Sequence, residues 1–212
     1  MRSNGARNPQ TALLGASARC RRPDSCVGRV RRCGLFIGLL LCAHAALGAD
    51  AVIREAQIKA AILYNFMKFI TWPSQTFSDA RAPFVVGIMG DSPVTEALQE
   101  VVRGRTVSGR AIVIHKVVNA DDAAVSQLLF VAESQTTEWV AVQTAIAGKP
   151  IVTVGESPPF LGTGGILNFI RQDDKVRFEI NLPTAERAGL RVSYQLIMLA
   201  QPHPKSSLAG AP

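Results

Sequence analysis

Cysteine is scarce in this sequence and absent after position 42. The only cysteines are Cys20, Cys26, Cys33 and Cys42. The chain beyond them therefore has no thiol nucleophile, no CxxC redox pair and no cysteine ligand for zinc. A domain without disulfides depends on the burial of apolar side chains. A chain of 212 residues that is 48% hydrophobic can supply such a core.

Histidine is almost as rare. Of the three histidines, His44 and His203 lie near the termini, and only His115 falls in the region expected to fold. His115 sits in a predicted strand, where we interpret it as a structural residue. No histidine pair is available for a metal, and no serine lies in a GxSxG elbow. We therefore predict no catalytic residue, no metal site and no enzymatic activity.

Two acidic pairs and one group of arginines are the remaining charged residues that are candidates for binding an ion. Asp121-Asp122 and Asp173-Asp174 are interpreted as a helix start and a hairpin turn rather than cation ligands. Arg103, Arg105 and Arg110 are interpreted as a solvated loop rather than an anion site.

Positive charge is confined to the N-terminal part of the chain. The formal net charge is +7. Before Asp50 there are eight arginines and one aspartate, which gives 8 − 1 = +7. From Asp50 onward, nine arginines and six lysines balance seven aspartates and eight glutamates. The body is neutral, so we predict no nucleic-acid partner.

The first 49 residues have the pattern of a secretory leader. Arg29, Arg31 and Arg32 precede an apolar run at 35–43, and small residues follow at 45–49. This order is typical of a signal peptide, with cleavage expected between Gly48 and Ala51. The alternative is an uncleaved anchor, but the run is shorter than the roughly 20 residues of a spanning helix. Residues 1–28 are either an over-extended start or an unstructured segment. After cleavage we expect no direct membrane insertion.

Helical and strand patterns alternate along the rest of the chain. Residues 51–72 predict a helix with a wide apolar arc, and its four charged residues argue against a membrane span. Further helices are predicted at 93–103 after a cap at Asp91-Ser92, near 121–122, at 134–147 and at 184–200. Strands are predicted at 83–90, 111–118, 127–132, 151–154, 166–170 and 175–182. The last two strands form a hairpin turning at Asp173-Asp174.

This alternation predicts an α/β fold. We expect a single layered domain over residues 50–202, with a mostly parallel sheet, a C-terminal antiparallel hairpin and helices on both faces. Residues 203–212 are expected to form a flexible tail.

A glycine-rich segment at 155–165 invites a nucleotide-binding interpretation. It lacks the Lys-Ser/Thr of a P-loop, and a strand rather than a helix follows it. We therefore predict no cofactor.

Two blocks of sequence resemble the YfiR-like family of small secreted bacterial proteins. The first is KAAILYNFMKFITWP at 59–73, and the second runs from GGILNF at 164–169 to AGLRVSYQLIMLA at 188–200. The resemblance implies a non-enzymatic periplasmic protein that represses the periplasmic sensor domain of an inner-membrane diguanylate cyclase. It would lower cyclic di-GMP and restrain biofilm formation, and it implies a homodimer. Some relatives have cysteines near the third strand, but residues 126–131 here have none, so redox sensing is not carried over.

Two other functions stay open: an accessory subunit of a membrane histidine kinase, or a small-ligand-binding protein with a pocket near Gly90 and Gly155. If the protein binds a membrane sensor, an apolar loop framed by glycine and proline could expose a contact patch. The predicted contact residues are Phe160, Leu161, Ile166 and Phe169. Their burial in the core is the alternative for each.

Overall fold

The computed structural model describes residues 50–202. The predicted leader and the predicted C-terminal tail lie outside the described residues, so the structure bears on neither. All statements below concern the described part of the chain.

The first helix is shorter than the sequence pattern indicates. Helix α1 spans residues 50–69, and the two residues after it form strand β1, Ile70–Thr71. Both are β-branched, which favours the extended conformation. Trp72 and Pro73 then follow outside both elements. Within residues 50–202, no helix is both long enough and apolar enough to cross a bilayer.

Seven strands form the main sheet: β2 (Phe84–Met89), β3 (Thr106–Val107), β4 (Arg110–Val117), β5 (Leu128–Val131), β6 (Val152–Gly155), β7 (Leu167–Gln172) and β8 (Lys175–Ile180). Their order is β3-β4-β2-β5-β6-β7-β8. The pairs from β4 to β7 are parallel, and the pairs at both edges, β3–β4 and β7–β8, are antiparallel. The mostly parallel sheet and the C-terminal hairpin are confirmed. No strand is predicted from the sequence at the position of β3.

Three helices connect the central strands: α2 (Pro93–Val102), α3 (Ala120–Ala124) and α4 (Thr136–Ile146). The Ser92 side chain accepts a hydrogen bond from the Val94 N–H, and Pro93 occupies the first helical position. Asn119 caps α3 in the same way through the Asp122 N–H. These caps explain why the helices begin where the sequence predicts.

The predicted closing helix at 184–200 is wrong, because the chain forms two short helices there. Helix α5 (Leu182–Arg187) ends before Gly189, which adopts a φ of +72° that glycine tolerates best. Strand β9 (Arg191–Val192) then pairs antiparallel with β1 as a separate two-stranded sheet. Helix α6 (Tyr194–Leu199) follows, and the Ser193 side chain caps it.

The sheet separates two apolar cores, which places helices on both faces as predicted. Along β5, Leu128 and Phe130 pack into the larger core with α1, α2, α5 and α6. The alternate residues Leu129 and Val131 pack into the smaller core with α3 and α4. A strand that is buried on both faces has a continuous run of apolar residues, and this is why the central strands could be predicted from the sequence.

Candidate functional site

The four predicted contact residues lie in the core. Their exposed fractions are 1% for Phe160, 3% for Leu161, 2% for Ile166 and 3% for Phe169. Ile166 and Phe169 pack in the larger core, and Phe160 and Leu161 pack in the smaller one. Their burial agrees with the alternative, which was a place in the core. In this conformation none of the four presents a surface to a partner. Contact with a partner stays a prediction.

Glycines in the 155–165 segment make room for Phe160. A side chain at either Gly155 or Gly165 would collide with the Phe160 ring. The ring stacks on Trp139 with centroids 4.7 Å apart. The Thr163 hydroxyl accepts a hydrogen bond from the Trp139 indole at 3.0 Å and donates to the Phe160 carbonyl at 2.9 Å. The glycines of this segment therefore allow the Phe160 ring to pack in the smaller core.

The scarce histidine and the acidic pairs have structural roles. His115 Nε2 lies 3.0 Å from the hydroxyl of the buried Ser126. Asp122 accepts a hydrogen bond from the Val118 N–H at the start of α3. Asp173 and Asp174 form the hairpin turn with φ of +50° and +55°. Among residues 50–202, no group of three or more His, Cys, Asp or Glu residues could hold a metal ion.

Each of the three loop arginines contacts a different partner. Arg103 pairs with Glu100, and the Arg105 guanidinium lies 5.1 Å from the centre of the Tyr64 ring. Arg110 lies over the Phe77 ring and donates hydrogen bonds to the carbonyls of Asp79 and Ala82 at 2.8 and 2.7 Å. Their guanidinium groups are thus engaged separately, which argues against a shared anion site.

The densest charged group lies at the carboxyl ends of the parallel strands. Glu156 follows β6, and its carboxylate lies 2.7 Å from Lys59 Nζ on α1. Lys59 also pairs with Glu55 at 2.9 Å, and Arg171 on β7 lies 3.5 Å from the same Glu55 carboxylate. The side chains of Lys59 and Glu156 are only 15% and 13% exposed. We call these four residues the Lys59 network.

Burial and ion pairing shift the pKa of Lys59 in opposite directions. Burial lowers the pKa of an ammonium group, but the hydrogen bonds and the charge attraction of Glu156 and Glu55 together outweigh it and raise the pKa of Lys59 above its ordinary value. Lys59 is therefore charged at neutral pH and neutralised by its partners. It is a structural cation rather than a free anchor for an anionic ligand.

The pocket that the sequence suggested near Gly90 and Gly155 is partly filled. A side chain at Gly90 would meet Gln135 at 2.6 Å and Ala132 at 3.0 Å, and the Phe160 ring fills the space at Gly155. Two crevices remain there. One, of about 290 Å³, has Gly90 and His115 among its lining residues, and the other, of about 230 Å³, lies beside the Lys59 network. Both are smaller than the roughly 300–1,000 Å³ typical of small-molecule sites.

Among the helices and strands of residues 50–202, helix α6 has the large apolar side chains that are most exposed. Tyr194, Met198 and Leu199 are 73%, 65% and 64% exposed, while Leu196 between them is buried. Tyr194 and Met198 are four residues apart and so lie on one face of the helix. We call Tyr194, Met198 and Leu199 the α6 face. Groups of exposed apolar side chains are one of the features found at protein–protein contact sites.

Comparison with known families identifies the chain. The YfiR/HmsC-like family model matches residues 56–201. The chain belongs to the YfiR/HmsC-like family. The match covers nearly all of the described residues, from α1 to the end of α6, and confirms the resemblance in the sequence. No curated protein matches the sequence at a significant level.

Sequence reasoning missed both the Lys59 network and the α6 face. The spacing of Glu55 and Lys59 was a usable signal, because a Glu four residues before a Lys favours an ion pair on a helix. The spacing of Tyr194 and Met198 was also visible. The sequence pattern assigns both residues to one long closing helix, however, and gives them no separate role.

Proposed function

We propose that this protein is a non-enzymatic periplasmic regulator that binds the periplasmic sensor domain of an inner-membrane diguanylate cyclase and holds the cyclase inactive. Membership of the YfiR/HmsC-like family supports this function. The structural observation that supports it best is the α6 face, which offers apolar side chains to a protein partner. By this proposal the protein lowers cyclic di-GMP and restrains biofilm formation.

The proposed repression is a shift between two states of the sensor domain. A bound regulator changes that equilibrium only by the difference between its affinities for the two states. Large exposed side chains such as Tyr194 and Met198 are suited to this task, because a few well-buried anchors provide most of the affinity of an interface. The charged state of Lys59 contributes to the fold and has no part in the proposed contact.

The test combines a deletion strain with two matched charge substitutions. Met198→Glu adds a charge to the α6 face, and Val140→Glu adds one to α4, where Val140 is 50% exposed. We expect deletion to raise cellular cyclic di-GMP, and complementation by the unchanged protein or by V140E to restore it. M198E should fail to complement and fail to co-purify with a membrane sensor. Unchanged cyclic di-GMP in the deletion strain, with no membrane cyclase co-purifying, would overturn the proposal.

A second candidate function, small-ligand binding, is favoured by one groove between α1 and α2. The groove has a volume of about 820 Å³, with Ile53, Ala56, Ala97 and Val101 among its lining residues. A ligand that binds only the folded state raises the melting temperature. A thermal-shift screen of apolar small molecules should therefore give a hit that Ala97→Trp, which fills the groove, abolishes. No shift with the whole panel would exclude this candidate.

A further inference from the structure

A small cavity lies where the end of α4 meets β6 and α5. Its volume is about 120 Å³, and we call it the α4–α5 cavity. Its apolar lining consists of side chains that are no more than 4% exposed: Trp139, Ile146, Ile151 and Ile166. The cavity shares no lining residue with the groove between α1 and α2. It is therefore a separate place at which a ligand could bind.

The polar lining of the α4–α5 cavity is rich in hydrogen-bond donors. Lys149 and Arg187 both line it, and both are exposed to solvent. The Gln143 amide lies beside Gly164, where an added side chain would meet its Nε2 at 2.5 Å. No aspartate or glutamate is among the lining residues. Within residues 50–202 neither cation forms an ion pair. The cavity thus offers positive charge without a carboxylate to neutralise it.

A buried hydroxyl faces the same cavity. Val152 and Val154 pack in the larger core, so Thr153 between them points to the opposite face of the sheet. Thr153 is 5% exposed, and its Oγ1 accepts a hydrogen bond from the Ile166 N–H at 3.0 Å. A hydroxyl also has a proton to donate, and no residue of the described chain accepts it. Because buried polar groups usually have partners, we expect an acceptor inside the cavity.

Local hydrogen bonds fix the segments that carry the two cations. The Lys149 N–H donates to the Ile146 carbonyl at 3.0 Å, and the Lys149 carbonyl accepts from the Ile151 N–H at 2.8 Å. Arg187 donates to the Thr184 hydroxyl at 2.8 Å, which leaves its other N–H groups for a ligand. A ligand that binds here therefore has little backbone to reorder.

A purely structural role for the two cations is the alternative. Lys149 follows the end of α4 and Arg187 lies in the last turn of α5. Each helix carries a partial charge of about −0.5 at this end, which favours a nearby cation. Two full positive charges exceed two such partial charges, so the cavity stays electropositive. The helix ends also do not account for the unused proton of Thr153.

We infer that the α4–α5 cavity binds a short-chain carboxylate. Its carboxylate group accepts charge-assisted hydrogen bonds from Lys149 and Arg187 and a hydrogen bond from Thr153. Its alkyl chain lies against the apolar lining at Ile146 and Ile151. A cavity of roughly 150 Å³ holds a benzene molecule. The about 120 Å³ of this cavity therefore suits about six non-hydrogen atoms, as in butyrate, and not a nucleotide or another large ligand.

A titration of the full chain with butyrate tests the inference. We expect saturable NMR shifts of the Gly148 and Gly164 amides, which line the cavity, with a dissociation constant on the order of 1 mM. Lys149→Met and Arg187→Met should each weaken binding about tenfold or more, because each removes a charged donor. The control Lys175→Met removes the same charge from an exposed position on β8 and should leave the affinity unchanged.

Related small molecules separate the parts of the proposed recognition. Butanol and butylamine have the same chain without the negative charge, and neither should shift these amides. Phosphate has the negative charge without the chain and should bind more weakly than butyrate. Equal responses to butyrate and butanol, or to butyrate and phosphate, would refute the inference. So would the absence of saturation with butyrate, or unchanged affinity in both K149M and R187M. Thermal unfolding checks that the variants fold.

The result is independent of both proposed functions. The α4–α5 cavity contains no residue of the α6 face, so M198E should bind butyrate like the unchanged chain. Ala97→Trp fills the other groove and should also leave butyrate binding intact. Failure of butyrate to bind therefore does not bear on the repression of a cyclase, and failure of repression does not bear on this cavity.

Discussion

Lys59 on α1 and Glu156 after β6 are 97 residues apart in the sequence, yet their charged groups lie 2.7 Å from each other in a largely buried setting. This pair connects the first helix to the carboxyl end of the parallel sheet. Glu55 and Arg171 extend it. Because each charge has an opposite partner, the network can lie in a region of low exposure without an unpaired ion.

Removal of the cation should destabilise the domain. Lys59→Met keeps the length of the side chain but leaves Glu156 and Glu55 without their shared partner. We expect a loss of about 1–3 kcal/mol in the free energy of unfolding, less than for a fully buried pair because solvent screens part of the effect. Urea denaturation at neutral pH measures it. The double variant K59M/E156Q should lose less than the sum of the single variants.

An exposed ion pair is the control for that prediction. Lys116 and Asp91 lie 3.3 Å apart with side chains 68% and 96% exposed. Lys116→Met should cost less than about 1 kcal/mol, as exposed pairs do. Equal costs for K59M and K116M would mean that burial of the Lys59 network contributes nothing.

Glycine at position 155 should be required by the packing of Phe160. Gly155→Ala places a methyl group into the Phe160 ring, and overpacking of this kind costs about 1–3 kcal/mol. Gly162 lies in the same loop, but a methyl group added there would meet no atom within 4 Å, and its φ is not positive. Gly162→Ala should therefore change stability by less than about 0.5 kcal/mol. Thermal unfolding compares the two variants, and equal losses would contradict this packing role.

The hairpin turn between β7 and β8 should tolerate glycine better than its native residues. Asp173 has a φ of +50°, which costs a residue with a side chain roughly 1–2 kcal/mol relative to glycine. Asp173→Gly should stabilise the protein by about 0.5–1 kcal/mol after the added freedom of the unfolded chain is subtracted. Asp173→Val should destabilise it, since a β-branched residue fits this region poorly. Chemical denaturation of both variants would show opposite signs, and matching signs would disprove the turn geometry.

Asp79 should titrate below the ordinary range of aspartate. Its carboxylate accepts hydrogen bonds from the N–H groups of Arg81 at 2.6 Å and Ala82 at 2.8 Å, and these lower its pKa. A lowered pKa in the folded state means that the stabilisation is present above the unfolded pKa of about 3.9 and is lost as the pH falls. NMR titration of the Asp79 carboxyl carbon measures the shift. A midpoint at or above the unfolded value would contradict these hydrogen bonds.

Local signals predicted most of the fold, and non-local pairing explains the errors. The apolar runs of β2 and β5, the Ser92 cap with Pro93 and the Asp173-Asp174 turn are each specified within a few neighbouring residues. The single closing helix failed because Arg191 and Val192 pair with Thr71 and Ile70, about 120 positions earlier in the chain. No local pattern contains that contact.

The features of the candidate sites also fall into two groups: those that the sequence alone shows and those that depend on tertiary contacts. The absence of cysteine after position 42, the single histidine of the region expected to fold and the family blocks could be recognised in the sequence, because they depend on residue identity alone. The sequence did not show that Phe160 and Phe169 are buried or that Tyr194 and Met198 are exposed. A buried and an exposed apolar residue cannot be told apart by residue type, and only the packing of the helices on the sheet separates them. Sequence by itself determined the fold class and the family. Only the tertiary structure decided which apolar residues face water, since burial depends on contacts between segments distant in the chain.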